Sequence, residues 1–337
     1  MTRPGRHLVF DVGGTQLRAA VYDGESGALA GTARTEAPNF QRHPGVSWHE
    51  LRSKLVDEMS ALRAVLDPQG LVGSAAVAFP GPVDGEGRVL AAPPLWGSLG
   101  DYPYALGRDL GAAWGCAPVR VMNDVTAAGF RYMRSHGDDF CLVTISTGIG
   151  NKVFVGGRPL LGSSGRGGEI GHLQVDASPA AAPCDCGGRG HLAALASGRG
   201  MQRRARARAE APDGGFRGSS LAATRTAGAL TVEDLAEAYR GGDAWAAGLV
   251  QDGVEALGGV LAGIHLAVGV DRVILVGGVS FGLGRRFCED VAAAIQSRCW
   301  RGAAGGDPAA VRVLLGEDDG RCALLGAGRA VHLGLST

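Results

Sequence analysis

The sequence predicts an α/β fold made of two duplicated halves flanking a cleft, and three stretches carry that prediction. Residues 7–23, "HLVFDVGGTQLRAAVYD", are an apolar run, a Gly-Gly turn and a second apolar run, which is the pattern of a β-hairpin. Residues 141–157, "CLVTISTGIGNKVFVGG", repeat that plan about 130 residues later, again with Thr beside Gly in the turn. Residues 271–282, "DRVILVGGVSFG", lead an apolar strand through a third glycine pair into a helix. A single repeat at this spacing implies a duplicated domain rather than a solenoid. Each half opens on a glycine-turn hairpin, and two such hairpins are suited to grip one ligand.

The remaining elements follow in chain order. In "VRVMNDVTAAGF", residues 119–130, a short apolar strand ends at Asn123-Asp124 and an Ala-rich helix begins. Asp124 can be read as the cap of that helix, or as a general base at the carboxyl end of a strand. Residues 243–269 hold a long helical pattern with Asp243 as its N-cap. The basic run "MQRRARARAEA", residues 201–211, reads as a solvated helix face.

Composition bounds the class. The 337 residues suffice for two domains, and 45% hydrophobic with 20% charged residues is the balance of a soluble enzyme. Basic and acidic residues balance at 33 each, so charge gives no argument for a nucleic-acid partner. All the basic residues but Lys54 and Lys152 are arginine. Seven scattered cysteines do not form a disulfide framework. Neither a signal-peptide core nor a run of about 18 apolar residues is present. The expectation is a cytoplasmic protein with no membrane partner.

The glycine turns suggest phosphate. Glycines at Gly13 and Gly14, beside Thr15, permit positive φ and close backbone approach, and successive N–H groups form an anion nest. Thr147, Gly148 and Gly150 repeat the arrangement, and Asp11 precedes the first turn. A P-loop signature is absent, and neither turn is a G-x-G-x-x-G opening a helix, so a dinucleotide site is not expected. Gly277 and Gly278 admit either an adenine or close helix packing. In "PCDCGGRGH", Cys184, Cys186 and His191 offer three ligands of a tetrahedral metal site, one short of a full set.

In order and spacing these motifs resemble the bacterial ROK sugar kinases of the actin/hexokinase ATPase superfamily. "DVGGT" (11–15), "STGIG" (146–150) and "VGG" (276–278) resemble that family's two phosphate motifs and its adenosine motif. "FPGPVDGEGRVLAAPPLW" (79–96) resembles its sugar-contacting loop, "GGEIGH" (167–172) its Glu-x-Gly-His, and "CDCGGRGH" its cysteine loop apart from the last residue. The pattern starts by residue 7, which leaves no room for the helix-turn-helix of ROK repressors. The resemblance implies two ribonuclease H-like domains: residues 1–124, completed by a helix at 321–335, and residues 125–320 with a zinc-binding loop. It implies transfer of the ATP γ-phosphate to a primary hydroxyl, with Asp124 as base and Gly81, Asn123, Glu169 and His172 also on the substrate. Asp11 would orient Mg²⁺ through water. Gly13, Gly14, Thr15, Thr147, Gly148 and Gly150 would hold phosphates, and Gly277 and Gly278 the adenosine. Lys152, where the family continues its glycine run, reads either as a phosphate contact or as a solvated strand residue. His172 would complete a structural Zn²⁺ shell with Cys184, Cys186 and His191, and a homodimer is implied.

Two departures from the family pattern concern the substrate. Pro94 stands where the family places an Asn that meets a ring hydroxyl, and Ala193 where it places a Glu. The hydroxymethyl-phosphorylating set is intact while part of the ring-reading set is not. This points to an altered ring, a C7-cyclitol (carbasugar), with glucose or an N-acylhexosamine as alternatives. A non-catalytic sugar-binding regulator is the reading from another class, and Asp11 and Asp124 argue against it. An acetate- or glycerol-type kinase is disfavoured by the cysteine loop.

Overall fold

The computed structural model describes residues 5–97, 100–116, 119–162, 165, 167–300 and 311–335. The chain forms two compact units. The first comprises Met1–Asp138, Gly156–Gly167 and Asp319–Thr337, and the second Asp139–Val155 and Gly168–Asp318. The sequence reading ends the first domain at 124. The first unit instead runs on through Asp138, because the helix beginning at Asp124 packs on the C-terminal helix.

In the first unit, β1 (Arg6–Val12) and β2 (Gln16–Asp23) form an antiparallel hairpin, and β3 (Ala28–Glu36) pairs outside β2. Helix α1 (Trp48–Leu66) starts at a reciprocal capping box between Ser47 and Glu50, which satisfies two orphan donors of the first turn. Then come β4 (Ser74–Phe79), α2 (Pro93–Trp96), α3 (Leu106–Trp114), β5 (Arg120–Asn123) and α4 (Asp124–Tyr132). The sheet order is β3-β2-β1-β4-β5, with β1, β4 and β5 parallel. Strand β1 is buried along nearly its whole length, as a central strand covered on both faces must be. Edge strand β3 is exposed at alternating positions and carries Arg34 and Glu36. Leu51, Leu55 and Met59 of α1 pack with Phe10, Leu17, Val77 and Phe79 to form this unit's core.

The second unit repeats the plan. Strands β6 (Phe140–Ile145) and β7 (Ile149–Val155) form an antiparallel hairpin, and the two-residue β8 (Arg158–Pro159), which lies in the Gly156–Gly167 segment, pairs beside β7. Helices α5 (Leu192–Ala196), α6 (Gly198–Glu210), α7 (Val232–Arg240) and α8 (Ala244–Val268) precede β9 (Arg272–Val276). Asp243 caps α8 by accepting from the Ala246 N–H at 2.9 Å, as the sequence predicts. Helices α9 (Gly278–Leu283) and α10 (Arg285–Gln296) and strand β10 (Arg312–Leu315) follow. The order β10-β9-β6-β7-β8 mirrors the first sheet strand for strand, so the duplication expected from the two hairpins is a duplication of topology. Leu249, Val254 and Leu257 of α8 and Phe287 and Val291 of α10 form its core against Val143 and Leu275.

The last helix, α11 (Cys322–His332), belongs to the first unit and packs on α4, β1 and β4. A methyl at Gly326 would stand 1.7 Å from the Ala127 carbonyl oxygen, so the helices cross where only glycine fits. Among the described residues no helix is long and apolar enough to cross a membrane.

Candidate active site and metal centre

In the first unit the predicted residues gather at the carboxyl ends of the parallel strands β1, β4 and β5, where open α/β sheets bind ligands. Asn123 ends β5 and is the N-cap of α4: its Oδ1 accepts from the Val125 and Thr126 N–H groups, each at 3.1 Å. The capping role that the sequence left open for Asp124 therefore falls to its neighbour. Asp124, half-buried in the first turn, accepts through Oδ1 from Val125 N at 2.8 Å and Asn123 Nδ2 at 2.9 Å. The same Nδ2 donates to the Gly81 carbonyl at 3.0 Å. Gly81 has φ +135°, and a methyl there would meet Ala91 O at 2.3 Å, which brings the loop at 91–97 under the strand ends. In that loop Pro93 and Pro94 occupy the start of α2, where a missing N–H costs nothing.

The first glycine turn departs from expectation in two ways. Neither Gly13 nor Gly14 has positive φ; glycine is required there for room. A methyl on Gly14 would stand 3.1 Å from Cβ of Pro94, and one on Gly13 3.1 Å from Gln16 O. The Gly13 N–H closes the turn by donating to Gln16 O at 2.8 Å, so it is not available to a phosphate. The Gly14 and Thr15 N–H groups make no backbone bond among the described residues. Asp11 is buried and ion-paired with Arg18, its partner across the hairpin, and Arg18 also donates to Gly320 O at 2.6 Å. Burial pushes the Asp11 carboxyl above the ordinary carboxylate range, and Arg18 opposes that shift. Sequence reasoning missed Arg18, although counting outward across the four residues 13–16 pairs 12 with 17 and 11 with 18.

In the second unit Thr147 and Gly148 are exposed at the hairpin tip, where Ser146 N donates to Gly148 O at 2.9 Å. Gly150 lies inside β7 opposite Thr144, beyond the turn proper. Gly277 has φ +96°, and a methyl there would meet Ile145 O at 2.5 Å, while Gly278 has open space beside it. The first glycine thus serves close packing, and the second leaves the backbone approachable. Lys152 is buried, which overturns its reading as a solvated strand residue. Its Nζ stands 2.9 Å from the point a methyl on Gly168 would occupy.

Residues 168–171 lie flat on β7. Asn151 N donates to Gly168 O at 3.2 Å, and Ile170 N to Asn151 Oδ1 at 3.4 Å. Methyl groups at Gly168 and Gly171 would meet Asn151 O at 2.1 Å and Ile149 O at 2.5 Å. The glycines of "GGEIGH" therefore seat this loop on the strand and leave Glu169 exposed at its crest. His172 ends the loop's short 3-10 turn. The ligand atoms of His172, Cys184, Cys186 and His191 all lie within 4.8 Å of one another, and Cys186 Sγ is 3.1 Å from His191 Nδ1. Zinc bonds of about 2.0–2.3 Å put tetrahedral ligand atoms roughly 3.3–3.8 Å apart; the two-Cys, two-His donor set fits zinc, and its atoms are near enough to close on one ion. A methyl on Gly188 would stand 2.4 Å from the His191 ring, so that glycine makes room for the histidine. Asp185, between the cysteines, pairs with Arg199 and Arg203 of α6; Arg204 pairs with Asp252 and Arg206 donates to Leu230 O. The basic run of α6 is thus engaged largely within its own unit. Ala193, half-buried in α5, presents only a methyl group.

A duplicated α/β fold whose halves each open on a glycine-turn hairpin, with an Asn-Asp pair ending a parallel strand, defines a sugar-kinase-type protein. The chain belongs to the ROK family, whose model matches residues 8–327. It is 37% identical to the C(7)-cyclitol 7-kinase of Streptomyces hygroscopicus subsp. limoneus, over 97% of this chain and 94% of that protein. It is 33% identical to the 2-epi-5-epi-valiolone 7-kinase of Actinoplanes sp., over 84% of this chain and 80% of that one. Among solved structures it resembles a ROK family glucokinase from Streptomyces griseus in complex with glucose and AMPPNP, with TM-score 0.72 and 25% identity over 96% and 98% of the two chains.

Proposed function

We propose that the protein is an ATP-dependent kinase that phosphorylates the primary hydroxyl of a C7-cyclitol. The observation that carries the kinase reading is Asp124, oriented by Asn123 and Val125 at the end of β5 and tied through Asn123 to the Gly81 loop. A carboxylate fixed in this way takes the proton of an attacking hydroxyl, a contribution of about 10²–10⁴-fold. The N–H groups of Gly14, Thr15, Thr147 and Gly148 bind phosphate oxygens; Gly13 closes the first turn, Gly150 follows the second within β7, and Gly277 and Gly278 border the adenosine. Positioning and charge neutralisation supply most of the remaining catalysis in phosphoryl transfer. Asp11, an oxygen donor on a buried strand, fits an outer-sphere role toward Mg²⁺, which keeps most of its waters and neutralises phosphate charge when bound. Glu169 and His172 contact the ring, and Lys152, buried beside Gly168, supports their loop and adds positive charge near it.

The cyclitol assignment rests on Pro94 and Ala193, which bring no side-chain hydrogen-bonding group to the ring, and on the likeness to two cyclitol kinases. A site with fewer polar groups to strand tolerates a ring lacking the anomeric oxygens. ADP release measured with 2-epi-5-epi-valiolone, glucose and N-acetylmannosamine tests this. A higher kcat/KM for the cyclitol than for either sugar supports the proposal, and an equal or higher value for glucose makes the protein a hexose kinase. The four-ligand cluster holds structural Zn²⁺, read out by metal analysis as about one zinc per chain.

A further inference from the structure

Asn39 is polar and only 2% exposed, and it lies on the segment that follows β3. Its Nδ2 donates to the Gly14 carbonyl at 2.7 Å and to Ala37 O at 3.3 Å, while Oδ1 accepts from Arg42 N at 2.8 Å. With both ends of the amide engaged, the side chain has one orientation. The carbonyl it holds belongs to the peptide joining Gly14 to Thr15. A peptide group is planar and turns as a unit, so fixing Gly14 O fixes the Thr15 N–H on the opposite side. The following peptide is fixed as well, since Thr15 O accepts from Ala37 N at 3.1 Å, and two peptides earlier Gly13 N closes the turn by donating to Gln16 O at 2.8 Å. The peptide that presents the Thr15 N–H depends on Asn39 for its orientation.

We infer that Asn39 is the positioning residue of the first phosphate turn, aiming the Thr15 N–H at a nucleotide phosphate without touching the nucleotide. This rests on the reading of residues 13–15 as a phosphate site. The segment also donates Phe40 N to Leu95 O at 2.9 Å, and Pro94 lies against Gly14, so the phosphate turn and the 91–97 loop form one hydrogen-bonded cluster.

The test uses the full chain. Asn39→Asp keeps the shape and the acceptor for Arg42 but loses the donor to Gly14, and Asn39→Ala removes both. Calorimetric titration with MgATP and with adenosine is expected to show MgATP weakened by about tenfold or more in either variant, the scale of a buried acceptor losing its donor. Adenosine binding is expected to stay within about twofold, and KM for the acceptor to change less than KM for ATP. MgATP affinity unchanged in a folded variant overturns the inference, as does an equal loss for both ligands, which marks a general structural role. Wild-type protein that binds adenosine no more weakly than MgATP overturns the phosphate-site reading, and the inference with it.

Discussion

Asp124 receives two hydrogen bonds on one oxygen, and its neighbour Asn123 does the capping. Asp124→Asn should therefore leave α4 and the melting temperature nearly unchanged while lowering kcat by about 10²-fold or more. MgATP affinity should persist, because this residue serves the acceptor; retention of most of the turnover would remove Asp124 as base. Position 94 has two roles at once. In the proposed function Pro94 withholds a ring contact, and in the structure it packs on Gly14 of the first glycine turn. The pair Pro94→Asn and Ala193→Glu should raise kcat/KM for glucose relative to the cyclitol, with a rise in KM for ATP from loss of the proline against Gly14. A glucose/cyclitol ratio unmoved in the double variant would detach these positions from ring recognition. Part of this scale was legible in the sequence: Cys184, Cys186 and His191 stand out by side-chain type and spacing, and the structure gathers their ligand atoms with that of His172, which only the family resemblance points to. Which N–H groups remain available was not legible: Gly13 and Gly14 look alike in sequence, yet only the first donates within its own turn.

At the scale of elements, both hairpins and the α8 cap were legible because strand period and capping are local rules. The glycines that let one element lie on another were not, because each is explained by an atom distant in the chain. Gly188 is the instructive case. In sequence it is part of a tight turn, and in the structure it is the floor under the His191 ring. Gly188→Ala should push that ring off the cluster, lowering zinc content and melting temperature together, since metal binding and loop order are coupled. His191→Ala should do the same. Metal analysis with thermal unfolding reads both effects, and full zinc occupancy in His191→Ala would show that His191 is not a ligand.

At the scale of the molecule, the first unit is completed by the end of the chain, and that junction carries a pair of histidines. His7, on the first strand, contacts Ser74 Oγ at 2.7 Å through Nδ1 and His332 Nδ1 at 3.2 Å through Nε2. These contacts tie β1 and β4 to the last turn of α11. The sequence could not show this, since the partners are 325 residues apart. The Tyr22 ring also faces His7, with centroids 6.2 Å apart. Burial, and then the adjacent His332, hold His7 below its ordinary value of 6.5. The unfolded chain therefore takes up a proton at this residue near pH 6.5 while the native protein resists it. Where the unfolded state binds more protons, stability rises with pH. The contribution is present above about pH 6.5 and is lost as pH falls through the lower, native value. Melting temperatures measured from pH 7.5 to 5.5 should fall for the wild type. His7→Asn, which removes the titrating ring, should show a shallower fall over the same range even though its melting temperature at pH 7.5 is lower. An equal fall in the variant would place the acid sensitivity elsewhere and reduce the His7–His332 contact to packing alone.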